Sequence, residues 1–310
     1  MRFFSEGQIR SAANVDEVIR AIHAAFVRGF ATVHMPVRTV LQLDNALLLV
    51  MPCYDSAMPA AGVKLVSVSA KAGVNAVYEL LDPSTGIPVA RMEANYLTDL
   101  RTAATSAVAT DLLARKGVKT LGVFGCGRQA AAHFTVLPRV RGFKRFLVCG
   151  SHRSDLNAFC AKMKSEFALE IEPASAEMVT RESDVICACT TSSAPLFDGN
   201  WVRPGTHLNL VGAFQPETRE VDDTVVKRAC VVVDTYDGVL QEAGDLLIPM
   251  KNGVIHRSHI IADLHEIAAG KKPGRTSSDE ITLFKSVGCA LEDLVTARLI
   301  VETSDSQLNK

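Results

Sequence analysis

The chain has 310 residues, 48% of them hydrophobic and 22% charged, with a formal net charge of −1. That length carries two modest domains and a sizeable core, and the balanced charge excludes nucleic acid or an anionic membrane as an electrostatic partner. No apolar run approaches the length of a bilayer span, and the N-terminal MRFFSEGQIR lacks the basic-then-apolar pattern of a signal peptide. A small charged metabolite fits this composition.

The eight cysteines are scattered, mostly inside apolar runs, as in FLVCG at 146–150 and ACVVVD at 229–234. They read as buried free thiols rather than disulfides or zinc ligands, which places the chain in a reducing, cytoplasmic compartment. In chain order, an amphipathic helix starts near Asn14 or Asp16. Short apolar or alternating runs then predict strands at ALLLVMPCY (46–54), GVKLVSVSA (62–70) and AVYELLD (76–82). DPSTGIP at 82–88 is a turn between strands. Residues 97–115 form one long alanine-rich helix.

The rhythm changes at 116. Strands at KTLGVFG (119–125), KRFLVCG (144–150), SDVICACTT (183–191), HLNLVGA (207–213) and CVVVDT (230–235) alternate with helices such as RQAAAHFTVLPRV and SDLNAFCAKMKSEF. This pattern predicts an α/β fold: a Rossmann-type, doubly wound parallel sheet over 116–289. Residues 1–115 form a second, α+β domain. The run ITLFKSVGCALEDLVTARLIVETS (281–304) reads as one amphipathic helix, and residues from about 290 to 310 complete the first domain.

LGVFGCGRQA at 121–130 has the pattern G-x-G-x-x-A between a strand and a helix. Gly125 permits the tight turn, Gly127 lets a pyrophosphate approach bare backbone, and Ala130 lets helix and strand pack closely. The helix N-terminus offers N–H groups to phosphate. With strand, helix and second strand in sequence, this is a dinucleotide signature. An acidic residue at the tip of the second strand would hold the ribose of NAD. Here the tip reads Gly150, Ser151, His152, Arg153, and Asp155 comes late. Arg153, Ser151 and His152 suit a 2′-phosphate, so NADPH is the expected cofactor, with NADH as the alternative.

Three cations precede the domain boundary: Arg38 in MPVRTV, Lys64 in AGVKLVSVSA and Arg101 in LTDLRTAATSA. Taken singly, each reads as a surface charge. A lysine within an apolar strand either snorkels at an edge or serves a site, and an arginine fork matches a carboxylate. His133, His207, His256, His259 and His265 show no metal spacing and read as surface or capping residues, so no metal is expected. Glu242 and Asp245 of QEAGDL read as solvated.

The segments MPVR (35–38), GVKLVSV (62–68), LTDLRTAATSAVAT (97–110), LGVFGCGRQA (121–130), HLNLVGAFQPETREVDD (207–223), QEAGDL (241–246) and TLFKSVGCALEDL (282–294) together resemble the ornithine cyclodeaminase/mu-crystallin family. The resemblance covers nearly the whole chain. It implies a Rossmann domain with a substrate domain, commonly in a homodimer, acting on amino acids or their imines. It implies that Arg38, Lys64 and Arg101 hold the substrate carboxylate, with Lys64 next to the reacting carbon as the catalytic residue. Val287 falls at a position matching a substrate contact. Arg128, Gln129, Thr190, Val211, Gly212 and Ser286 fall at positions matching cofactor contacts, as do Arg101 and Thr102.

One departure bears on the activity. Cyclodeaminases of the family carry a catalytic aspartate in the loop matching VGAFQP, where this chain has Ala213 and Phe214. A carboxylate there handles the proton or water when ammonia leaves, and phenylalanine cannot. Reduction of a preformed imine needs less, and Phe214 would line a pocket for a small apolar ring. The expected activity is therefore NADPH-dependent reduction of a cyclic imine carboxylate, Δ1-pyrroline-2-carboxylate to L-proline or its six-membered homologue to L-pipecolate. A cyclodeaminase, an alanine or other amino-acid dehydrogenase, and a non-catalytic NADPH-binding protein are the alternatives.

Overall fold

The computed structural model describes residues Met1–Leu308. Their contacts divide the chain into Met1–Thr105 with the residues from Cys289 onward, and Ser106–Gly288. The division falls inside a helix rather than near 115.

The first unit begins with β1 (Arg2–Phe4), α1 (Glu6–Ala12) and α2 (Val15–Arg28). The Asn14 side chain accepts from the backbone N–H groups of Asp16 and Glu17, which starts α2, and Gly29 ends it. Val18, Ile22, Ala25 and Phe26 recur at helical spacing and form its buried stripe. Next come β2 (Val33–His34), β3 (Thr39–Gln42), β4 (Leu47–Asp55), β5 (Ala60–Ser69), β6 (Gly73–Leu81), β7 (Pro88–Glu93) and α3 (Asn95–Leu113). The sheet order is β1-β7-β6-β5-β4-β2, with β3 also on β4. Only β1 pairs parallel; the other neighbours are antiparallel.

The second unit continues with β8 (Thr120–Phe124), α4 (Arg128–Val136), β9 (Arg145–Cys149), α5 (Arg153–Phe167), β10 (Glu172–Pro173), α6 (Ala176–Glu182), β11 (Val185–Ala188) and β12 (His207–Leu210). It ends with α7 (Asp223–Arg228), β13 (Ala229–Val233), α8 (Tyr236–Glu242), α9 (Gly244–Lys251), β14 (Ile260–Asp263), α10 (Leu264–Ala268) and β15 (Ile281–Lys285). All eight strands are parallel, in the order β10-β9-β8-β11-β12-β15-β13-β14. The chain winds outward from β8 through β9 to β10, then crosses back to β11 on the other side of β8. That reversal opens a crevice beyond the carboxyl ends of β8 and β11. The central strands β11 and β12 are buried on both faces, as a two-sided parallel sheet requires.

The chain closes with α11 (Ala290–Leu308), which returns to the first unit and packs on α2, β4 and β5. Here the single amphipathic helix expected over 281–304 is corrected. Residues 281–285 are β15, paired between β12 and β13, and the helix starts only at Ala290. A five-residue apolar run has too little length to separate strand from helix by periodicity. The helix is not amphipathic either: Ala290–Ala297 is buried on every face.

Candidate functional site

In the second unit, a cleft of about 490 Å³ lies at the sheet's reversal point. It is lined by Phe124–Gly127 after β8, Cys149–Ser151 after β9, and Cys189–Ser192 after β11. Gly125 has φ +109°, and a Cβ there would sit 2.6 Å from the carbonyl oxygen of Cys189, so only glycine fits. Gly127 differs: a Cβ would meet nothing within 4 Å. Its bare face borders open space at the start of α4, and it caps that helix with no side chain. A positive helix end and a backbone without Cβ make a cradle that a diphosphate fits. Ala130 is fully buried.

The loops at the far side of this cleft are held from beneath by a buried polar network. Glu220 accepts hydrogen bonds from Thr190 N (2.7 Å), Thr190 Oγ1 (2.8 Å), Gly212 N (2.8 Å) and Ala213 N (3.2 Å). Asp245 accepts from Glu220 N (2.7 Å) and Val221 N (3.1 Å), and pairs with Lys285 Nζ at 2.9 Å. Lys285 also donates to Ala213 O at 2.6 Å. All three charged groups are fully buried. Burial and the neighbouring Asp245 push the Glu220 pKa up, against the pull of Lys285 and the Thr190 donors. Asp245 is thus not solvated, as its sequence context suggests, but part of the floor beneath the loops. Asp234 does the same for the loop after β15, accepting from Ser286 Oγ (2.9 Å), Val287 N (2.8 Å) and Gly288 N (2.7 Å).

In the first unit, Lys64 on β5 is 1% exposed and Arg101 on α3 is 5% exposed. Neither is a surface charge. Both meet α11: Lys64 Nζ donates to Asp293 Oδ1 at 2.7 Å, and Arg101 Nη1 donates to Glu292 Oε2 at 2.6 Å. Arg101 Nε lies 2.9 Å from the same Asp293 oxygen, an ion pair without hydrogen-bond alignment. Burial first, then the Arg101 charge, lowers the Lys64 pKa to about 8; Asp293 opposes this and Arg38 adds to it. Arg38, half-buried in the segment between β2 and β3, therefore belongs to the same cluster. Thr102 is buried beside Arg101 on α3.

The remaining sequence-picked residues are placed as follows. Arg128 and Gln129 open α4, and Thr190, Val211 and Gly212 follow β11 and β12. Ser286 and Val287 are buried after β15. Ser151, His152 and Arg153 are exposed after β9, and of these only Ser151 lines the cleft. Phe214 packs partly buried against the sheet's apolar core. The charge of Asp155, in the first turn of α5, reaches the glycine loop and raises the Cys126 pKa after burial has done so. Two histidines are not surface residues. His133 bonds Gln129 O and Ser106 Oγ, His207 bonds Thr282 Oγ1, and both are fully buried. Among the described residues all eight cysteines are free, and no cluster of His, Cys, Asp or Glu could hold a metal ion.

Sequence reasoning missed Glu292, Asp293, Glu220 and Asp234. The signal was present for the first two: adjacent acids in a helix otherwise apolar all round, ALEDLVTA, have no solvent face to occupy.

Comparison with known proteins places these features. A Δ1-pyrroline-2-carboxylate reductase of Bacillus cereus is 34% identical over 314 residues, covering 97% of this chain and 96% of that relative. A ketimine reductase mu-crystallin of Rattus norvegicus is 34% identical over 310 residues, covering 97% and 95%. The structure of a Thermococcus litoralis Δ1-pyrroline-2-carboxylate reductase in complex with NADH and L-proline superimposes with a TM-score of 0.96 at 38% identity, over 99% of this chain and 98% of that one. The model of the ornithine cyclodeaminase/mu-crystallin family matches residues 2–307, and the chain belongs to that family.

Proposed function

We propose that the chain is an NAD(P)H-dependent reductase of cyclic imine carboxylates, converting Δ1-pyrroline-2-carboxylate to L-proline. The observation that carries this reading is the likeness, over 99% of the chain, to a reductase held with NADH and L-proline. The residues of this chain suit the chemistry. Arg101 and Lys64, with Arg38, bind the substrate carboxylate by charge-assisted hydrogen bonds in a site with little water. Holding that carboxylate fixes the adjacent C=N carbon, which is the proximity term of the catalysis. The dinucleotide fits the cleft at Gly125–Gly127 and, when bound, supplies hydride to the imine carbon. The ring nitrogen takes up one proton, so C=N becomes CH–NH. Lys64, with a pKa near 8, holds a proton it can give at neutral pH.

Phe214 supplies no carboxylate, and no ammonia has to leave in this reaction. The exposed tip at Ser151, His152 and Arg153 supports a preference for NADPH. Leu41, Leu48, Val50, Leu65 and Val77, partly or fully exposed on one face of the first sheet, support a homodimer. The free thiols support a cytoplasmic setting.

A panel of cyclic imines with NADPH and NADH, followed by loss of cofactor absorbance at 340 nm, tests the reading. Turnover of the five-membered imine carboxylate, faster with NADPH, is expected. Faster turnover with NADH would reject the cofactor preference and direct attention to Asp155. Ammonia release from ornithine with NAD, in place of imine reduction, would overturn the reading.

A further inference from the structure

We propose that Asp293 is a positioning residue for this reaction: its carboxylate, carried by α11, bridges Lys64 and Arg101 and holds both cations charged and aimed at the substrate carboxylate. The inference rests on the reading of those two residues as the carboxylate clamp.

Two cations at 1% and 5% exposure cannot stay charged without a counter-ion. One oxygen, Asp293 Oδ1, serves both, at 2.7 Å from Lys64 Nζ and 2.9 Å from Arg101 Nε. The other oxygen, Oδ2, is buried and has no hydrogen-bond partner among the described residues, so the hydrogen bond to Lys64 is made by Oδ1 alone. The bonds made are also the ones that leave a clamp open. Arg101 spends Nη1 on Glu292 and Nε on Asp293, which leaves Nη2 for a ligand. Lys64 Nζ has three protons and one bonded partner. The charges agree: Lys64 and Arg101 pair with Glu292 and Asp293, and Arg38 adds a further positive charge felt at Lys64, which suits one carboxylate.

The titratable groups around Lys64 are accounted for. Arg101 and Arg38 lower its pKa and Asp293 raises it. Cys53 on β4 and Tyr78 on β6 both sense Asp293; burial pushes Cys53 up to about 12 and Tyr78 well above its usual value, so neither is charged at working pH. Asp293 is the anion that keeps Lys64 protonated.

The test is the pH profile of kcat/KM in Asp293→Asn. In the unaltered enzyme kcat/KM falls as pH rises through about 8. The variant is expected to lose at least about tenfold in kcat and to shift that fall by about one pH unit or more to lower pH, with cofactor affinity within threefold. Glu292→Gln, at a residue that bonds Arg101 and Cys289, is expected to leave the fall in place. A folded Asp293→Asn enzyme with an unmoved profile overturns the inference. If that variant does not fold, Asp293→Glu keeps the charge but moves the oxygen: a kcat reduced about tenfold with the profile in place supports the inference, and a kcat like that of the unaltered enzyme overturns it. Lys64→Met separates the two failures. An active Lys64→Met enzyme sinks the reading of the clamp, whereas an inactive one beside a normal Asp293→Asn sinks only the role of Asp293.

Discussion

Lys64 shows what burial does to one residue. On a surface it would be an ordinary ammonium. At 1% exposure beside Arg101 its pKa falls to about 8, which puts its proton within reach of neutral-pH chemistry. The charged form is the low-pH form, so activity that depends on it is complete well below pH 8 and is lost as pH rises through that value. Removing the ammonium in Lys64→Met is expected to lower kcat/KM at least about a hundredfold while the dissociation constant for the reduced cofactor, read by fluorescence, stays within twofold. Full turnover in that variant would remove Lys64 from the mechanism. The cations were readable as candidates through the family resemblance; taken singly, each reads as a surface charge. Their partners were not: Glu292 and Asp293 sit 191 and 229 residues away in the chain from Arg101 and Lys64, and a single sequence carries no sign of that pairing.

At the scale of elements, the strand–glycine loop–helix unit was legible in full, because its chemistry is local. The first glycine answers to backbone geometry and the second to space, and this difference is testable. Gly125→Ala forces a Cβ to 2.6 Å from a carbonyl at φ +109° and is expected to lower the melting temperature by several degrees. Gly127→Ala meets no neighbour, so its melting temperature without cofactor should stay within about a degree while cofactor affinity drops about tenfold. A normal cofactor affinity in Gly127→Ala would mean that the diphosphate does not approach that face. The strand Ile281–Lys285 was illegible for the opposite reason. Its place between β12 and β13 is set by pairing with strands more than forty residues away, and its five residues run on into the helix that follows Gly288. The buried network of Glu220, Asp245 and Lys285 was hidden in the same way. Asp245 reads as a solvated charge until the fold joins it to Glu220 and Lys285.

For the whole molecule, the balanced charge points to neither nucleic acid nor an anionic membrane, and among the described residues no helix is long and apolar enough to cross a membrane. What composition did not reveal is an uncovered apolar face. Along the antiparallel sheet, Leu41, Leu48, Val50, Val63, Leu65 and Val77 lie on the side away from the buried Leu49, Met51, Val66 and Tyr78, and each keeps some exposure. A patch of this kind is a surface the proposed homodimer would bury. Light scattering at micromolar concentration is expected to give about twice the 33.4 kDa chain mass, and Val77→Lys to shift it toward the monomer. A monomeric mass for the unaltered chain would contradict the homodimer.

The central claim is that hydride is delivered to the imine carbon of a small cyclic carboxylate. The most direct measurement supplies Δ1-pyrroline-2-carboxylate with NADPH deuterated at both C4 positions and examines the product by mass spectrometry and NMR. The account predicts L-proline carrying one deuterium, bonded to Cα. Absence of proline, or proline with no deuterium at Cα, would contradict it.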